Sequence, residues 1–164
     1  MTVREIRLFG DPVLRSPTAE VTDFGSVAGL VQDLLDTTAL PGRAGVAATQ
    51  IGVGLAVFSY NVDGKIGYLI NPDIVKLEGE PVLVEEGCLS VPGLWHRTPR
   101  HPKATARGYQ LDGSLIEVSG EGLMAQALQH ECDHLKGMLY LDRLEKEERR
   151  LAFANLRQQT WFIA

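Results

Sequence analysis

Gln129-His130-Glu131-Cys132-Asp133-His134-Leu135 is the stretch on which the reading of this sequence turns. At about 3.6 residues per helical turn, His130 and His134 stand one turn apart on one side, with Glu131 beside them. Two imidazoles at that spacing reach one metal ion, and a carboxylate between them lies next to any water the ion binds. Neutral histidine ligands leave the ion electrophilic, so the pKa of that water falls toward neutrality. The segment therefore predicts a metal-dependent hydrolase with Glu131 as its acid and base. The helix that carries it is predicted to take Ser119 as N-cap, to run to about Leu135 and to stop at Gly137. Viewed down its axis, Gln126, Gln129 and Asp133 share a polar face opposite an apolar stripe of Met124, Ala127, Leu128 and Leu135. Glu131 falls inside that stripe and the two histidines along its edge. Unpaired polar groups there would be costly to bury, which argues for a ligand.

A catalytic site of this kind uses three protein ligands and keeps one position open. Tyr140 occupies the place where an extended metalloprotease motif has its third histidine. Glu145, Glu147 and Glu148 lie in the mixed-sign run Glu145-Lys146-Glu147-Glu148-Arg149-Arg150, which reads as a solvated helix face. Upstream, Glu85-Glu86-Gly87-Cys88-Leu89-Ser90 sets a single cysteine after an apolar strand, among glycine and small residues that let backbone approach a site. Cys88 is the best candidate, because a thiolate with two imidazoles makes a soft set suited to Fe(II), Zn(II) or Ni(II). An isolated cysteine is otherwise a packing residue. That is the reading for Cys132, which projects away from the ligands.

The remainder of the chain bounds the answer. Its 164 residues, 45% of them hydrophobic, predict one compact domain over 1–164. A net charge of −5 argues against a nucleic-acid footprint, which needs clustered Lys and Arg. No apolar run is long enough to span a bilayer or to follow the first charges as a leader, and only two cysteines occur. A reducing, cytoplasmic setting is expected. Val27, Leu30, Val31, Leu34 and Leu35 predict a helix from about Ser26 to Thr38. Leu55 to Tyr60, Tyr68 to Ile70 and Val82 to Val84 read as strands. Asp63-Gly64 and Asp112-Gly113 supply the positive φ angles of tight turns, so antiparallel pairing is expected. The segment Leu144 to Gln159 reads as a solvated helix.

Three segments in order, Gly45-Val46-Ala47-Ala48-Thr49-Gln50, Glu86-Gly87-Cys88-Leu89-Ser90 and His130-Glu131-Cys132-Asp133-His134, resemble those of the peptide deformylases. Gly10-Asp11-Pro12-Val13-Leu14-Arg15 and Leu141-Asp142-Arg143-Leu144 extend the likeness over nearly the whole chain. The resemblance implies an α+β fold, with antiparallel β-sheets packed around a central metal-binding helix and a C-terminal helix. It implies removal of the formyl group from the N-terminal formylmethionine of nascent proteins. The metal would be Fe2+ on Cys88, His130 and His134, with Zn2+, Ni2+ or Co2+ able to substitute; a thiolate with ferrous iron is prone to oxidation. Water activated there would attack the formyl carbonyl, with Glu131 taking a proton and delivering it to the departing amine. The Gln50 amide and the Leu89 N–H would stabilise the oxyanion.

Gly45 and Gly87 would present backbone that binds the peptide as an added strand. Val84, Leu123 and Ala127 are the candidates for an apolar methionine pocket. N-formylmethionyl nascent peptides are the implied partners, with the ribosome a further candidate and no membrane. Three residues depart from the pattern. Arg43 replaces the first glycine of the opening motif, Gln126 stands where many members carry Arg or an apolar residue, and Trp95 sits in the expected loop after the cysteine motif. Two other readings are a related metallopeptidase and a noncatalytic binding protein. Cys88 argues against the first, and Glu131, which a binding module does not need, against the second.

Overall fold

In the computed structural model, which describes residues 2–162, the run Val57-Phe58-Ser59-Tyr60-Asn61-Val62 is a strand covered on both faces. Phe58, Tyr60 and Val62 pack on one side, against the helix bearing the two histidines, and Val57 on the other. This strand, β2, follows β1 (Gly45–Ala47) and precedes β3 (Lys65–Glu78), β4 (Val82–Cys88), β5 (Val91–Arg100), β6 (Lys103–Tyr109) and β7 (Leu115–Glu121). Five of the strands form one sheet in the order β1-β2-β3-β6-β7, and β4 with β5 forms a second. Every paired strand is antiparallel to its neighbour. The helices are α1 (Ala28–Thr38), α2 (Leu123–Leu135) and α3 (Lys146–Leu156). The α+β architecture with antiparallel sheets around the histidine-bearing helix is the expected one.

Sequence alternation explains the layering. α1 lays Val31 and Leu34 on one face of the large sheet with Val46, Val57 and Ile70. α2 lays Ala125, Leu128 and Cys132 on the other with Ala47, Phe58, Leu69 and Ala106. Asp63-Gly64 makes the expected tight turn, with φ of 51° and 81° between the paired residues Val62 and Lys65. Asp112-Gly113 differs. It lies in a longer loop closed by the pair Tyr109 and Leu115, where the Asp112 carboxylate accepts from the Ser114 N–H and only Gly113 takes a positive φ.

Two expectations about the helices are corrected. Ser119 is not an N-cap but a residue of β7, because the ladder with β6 continues to the pair Lys103 and Glu121 and commits that backbone to the sheet. The chain then turns at Gly122, φ 56°, and α2 starts at Leu123. The polar face of α2 is satisfied inside the protein. Gln129 and Asp133 are buried, Gln129 bonding to His101 N–H and O and Asp133 to Arg100 and Arg143. Finally, α3 is solvated only in part. Ala152 and Leu156 are buried with Leu14, Val91, Leu94 and Leu141, and Phe153 packs at their edge. From the charge run, Glu148 accepts a 2.7 Å bond from buried His96, whose ring stacks on Tyr140. α3 is thus fastened to β5. The stop of α2 at Gly137, φ 77°, is where the sequence puts it.

Candidate metal centre

β4 and β5 lie beside α2 and bring Glu86 and Cys88 against its histidines. Cys88 Sγ stands 3.3 Å from His134 Nε2, and the two Nε2 atoms of His134 and His130 are 3.2 Å apart. The ligating atoms of Cys88, His130 and His134 all fall within 4.8 Å of one another. Their chemistry fits a divalent ion: one thiol, two imidazoles, and a ring nitrogen of His130 left over to be held from behind. Glu86 does the holding. His130 Nδ1 donates to Glu86 Oε2 at 2.7 Å, which turns Nε2 toward Cys88 and His134.

Glu86 is itself clamped. Arg100 donates Nε and Nη2 to its two oxygens at 2.9 and 2.6 Å, and gives Nη1 to Asp133 at 2.8 Å. Arg143 closes the far side of Asp133 with bonds of 3.1 and 2.8 Å. Burial alone would raise the Glu86 carboxyl, but the bonds from Arg100 and His130 outweigh it and hold the group at about 2. Arg100, though buried, is pushed above its ordinary range by Glu86 and Asp133. Burial disfavours charge on both histidines. It prevails at His134, which His130 further depresses, whereas contacts with Cys88 and Glu86 reverse it at His130. The neutral form that burial favours at His134 is the form in which an imidazole ligates a metal.

Glu131 faces a different environment. It is 3% exposed, its Oε1 has no hydrogen-bond partner among the described residues, and burial drives its carboxyl up to about 7. Gly45 makes room for it, since a Cβ on Gly45 would lie 2.7 Å from Glu131 Oε2 and 3.0 Å from Cδ. Gln50 is also buried. Its Oε1 accepts from the Ala47 N–H at 3.0 Å, and its Nε2 points to Ser90 Oγ, 3.2 Å, and Cys88 Sγ, 3.6 Å. The amide is thereby oriented with its donor toward the cysteine. Leu89 follows Cys88 at the end of β4 and lines the same cavity.

That cavity, about 750 Å³, reaches from these groups to the surface, a size suited to a small ligand or chain end. Gly45, Gln50, Gly87, Cys88, Leu89, Leu123, Ala127, His130 and Glu131 all line it. Val84 does not; it lies further back on β4, and Leu94 and Trp95 of β5 contribute apolar wall instead. Trp95 is in a strand rather than a loop, with its indole laid over Gly87, where a Cβ would meet the ring at 2.7 Å. Gln126 gives its Nε2 to Glu85 O and Glu86 Oε1, both at 3.2 Å. Cys132 is buried in the core, its thiol pushed up to about 12 by burial.

The residues that sequence reasoning missed are Glu86 as the support of His130, and Arg100, Asp133 and Arg143 behind it. One signal was available for the first: Glu86 and Cys88 are two apart in a strand and share a face. The Arg100 partnership joins residues 14 and 33 positions apart, and no local pattern announces it.

Residues 3–150 match the family model described as polypeptide deformylase. The chain belongs to the peptide deformylase family. A peptide deformylase of Acidothermus cellulolyticus is 46% identical over 162 residues, covering 98% of this chain and 89% of that one. Among solved structures, the peptide deformylase of Thermus thermophilus superposes with a TM-score of 0.88 at 36% identity, covering 95% and 94% of the two chains. A peptide deformylase of Synechococcus elongatus, solved in complex with actinonin, gives a TM-score of 0.86 at 28% identity, covering 96% and 87%. Deformylase relatives therefore share both the sequence and the fold almost end to end. Among the described residues, no helix is long and apolar enough to cross a membrane.

Proposed function

We propose that this chain removes the formyl group from the N-terminal formylmethionine of nascent proteins. One observation carries the reading: buried Glu131, with an unpartnered oxygen, stands beside the Cys88, His130 and His134 cluster in the wall of a largely apolar cleft. Those three side chains would hold a divalent metal, Fe(II) on this reading with Zn(II), Ni(II) or Co(II) as substitutes. When bound, the metal supplies Lewis acidity that polarises the formyl carbonyl and makes water a nucleophile near neutral pH. All else is done by the chain.

Glu131 accepts the proton that water gives up and returns it to the methionine amine as the C–N bond breaks, giving formate and a free N-terminus. Gln50 Nε2 and the Leu89 N–H take the negative charge that develops on the formyl oxygen. The Gln50 bond from Ala47 fixes that donor before substrate arrives. The peptide lies along the free edge of β1. Asn61 N–H donates to Ala44 O, so residue 44 faces β2 and Gly45 turns its backbone groups outward to pair with an added strand. Gly87 offers backbone from the opposite wall. Leu123 and Ala127 receive the methionine side chain, with Leu94 in place of Val84.

Anaerobically metal-loaded protein is expected to release formate from a short formyl-Met peptide. Glu131→Ala should lower turnover by about 10²- to 10⁴-fold with metal content unchanged. Cys88→Ala should lose metal and Cys132→Ala should keep it. Bound metal without formate release overturns the assignment.

A further inference from the structure

The floor of the cleft is electrostatically closed, with Glu86 matched by Arg100 and His130 and Asp133 by Arg100 and Arg143. The walls above it are not. Arg43, on the loop before β1, and Glu85, on β4, both line the cavity, and neither has an ion-pair partner among the described residues. Arg43 is half-buried, so its charge sits in the wall rather than out in solvent. Its Nη1 donates to Thr37 O at 3.0 Å, in the last turn of α1, where the helix carries its negative end. One bond leaves most of the guanidinium fork without an acceptor. The side chain is anchored and its remaining donors are open.

Distance decides what they meet. Gly45 touches Glu131, and Arg43 lies two residues before it across a bend at Ala44, at most about 7 Å away, in the wall of the same cavity. A substrate strand leaving Glu131 along that edge brings its second or third residue to Arg43. Among the described residues that line the cavity, Arg43 is the one arginine or lysine, so it is the group there that can pair with a carboxylate on a passing peptide. We infer that Arg43 is a specificity residue that selects formylated peptides carrying a carboxylate side chain at the second or third position. The inference rests on the deformylase reading.

The test measures kcat/KM of the metal-loaded full chain on formyl-Met-Ala-Ala and on versions with Asp or Lys at position two or three. At one of the two positions the aspartyl peptide should exceed the lysyl one by about three- to tenfold at low salt. The gap should shrink in about 0.5 M salt, where the screening length falls to a few ångström. Arg43→Gln should abolish it and Arg43→Lys retain most of it. Formate release with no aspartyl preference at either position, or a preference that survives Arg43→Gln, overturns the inference and leaves the deformylase reading standing. Release from none of the peptides overturns both.

Discussion

Gly45 and Gly87 line the two walls of one cleft, and the space each saves by lacking a side chain is filled by another residue. At Gly45 the occupant is Glu131, 3% exposed and held in a helix with both faces covered. At Gly87 it is Trp95, 65% exposed. Both glycines read alike in sequence, as places where backbone comes close. The structure separates them: one seats a buried carboxyl against the floor, and the other an exposed aromatic at the rim. On the proposed mechanism, the cleft is closely packed where bonds would change and open where the rest of the peptide would lie.

Substitution of Gly45 should break this arrangement most severely. A Cβ there would meet Oε2, Cδ and Cγ of Glu131 at 2.7 to 3.0 Å, so the whole side chain must shift and not only its tip. A displacement near 1 Å at reacting groups costs about 10²-fold in rate. Gly45→Ala is expected to lower kcat by that order while metal content, read by elemental analysis, stays at the wild-type level. Unchanged kcat would mean that Glu131 adapts and that the floor is as soft as the rim.

Glu86→Gln tests whether the floor's rigidity comes from behind the ligands. The amide has one accepting oxygen where the carboxylate offers two to Arg100 and His130, and Asp133 is left as the carboxylate paired with Arg100. Loss of such a supporting bond typically weakens metal affinity by about 10- to 100-fold. Competition with a chelator should show that drop, whereas Trp95→Ala at the rim should leave chelator competition as it was. Equal behaviour of the two variants would erase the distinction between floor and rim.

The two regions were also unequally readable from sequence. His130, Glu131 and His134 are spaced by the helix itself, so their juxtaposition is local, and Cys88 could be reached by the ligand count the chemistry demands. The turn at Asp63-Gly64 and the helix ending at Thr38 are local in the same sense. Ser119 misled because capping residues are also strand residues, and only the partner strand β6 decides which applies. The polar face of Gln129 and Asp133 was legible but its partners were not, because His101, Arg100 and Arg143 come from other elements. Val84 and Trp95 were misplaced for a related reason. Which residues of β4 and β5 face the cleft depends on the irregular register between Glu86 and Cys88, a feature of the pairing rather than of either strand.

The smallest expected effect is the most discriminating. Gly87→Ala puts a Cβ 2.7 to 2.9 Å from the Trp95 ring, and the ring, being exposed, can swing aside. KM for a formyl-Met tripeptide should then rise by about two- to fivefold, from loss of a partly exposed apolar contact, with kcat nearly constant. Trp95→Ala removes the same contact and should give a similar rise. The double variant separates two explanations. If Gly87 matters only by seating the indole, removing both costs no more than removing Trp95 alone, because neighbours sharing one interaction do not add. If Gly87 backbone also pairs with substrate and the methyl obstructs it, the two effects multiply. The first result makes Trp95 the true rim contact, and the second makes β4 a binding edge equal to β1.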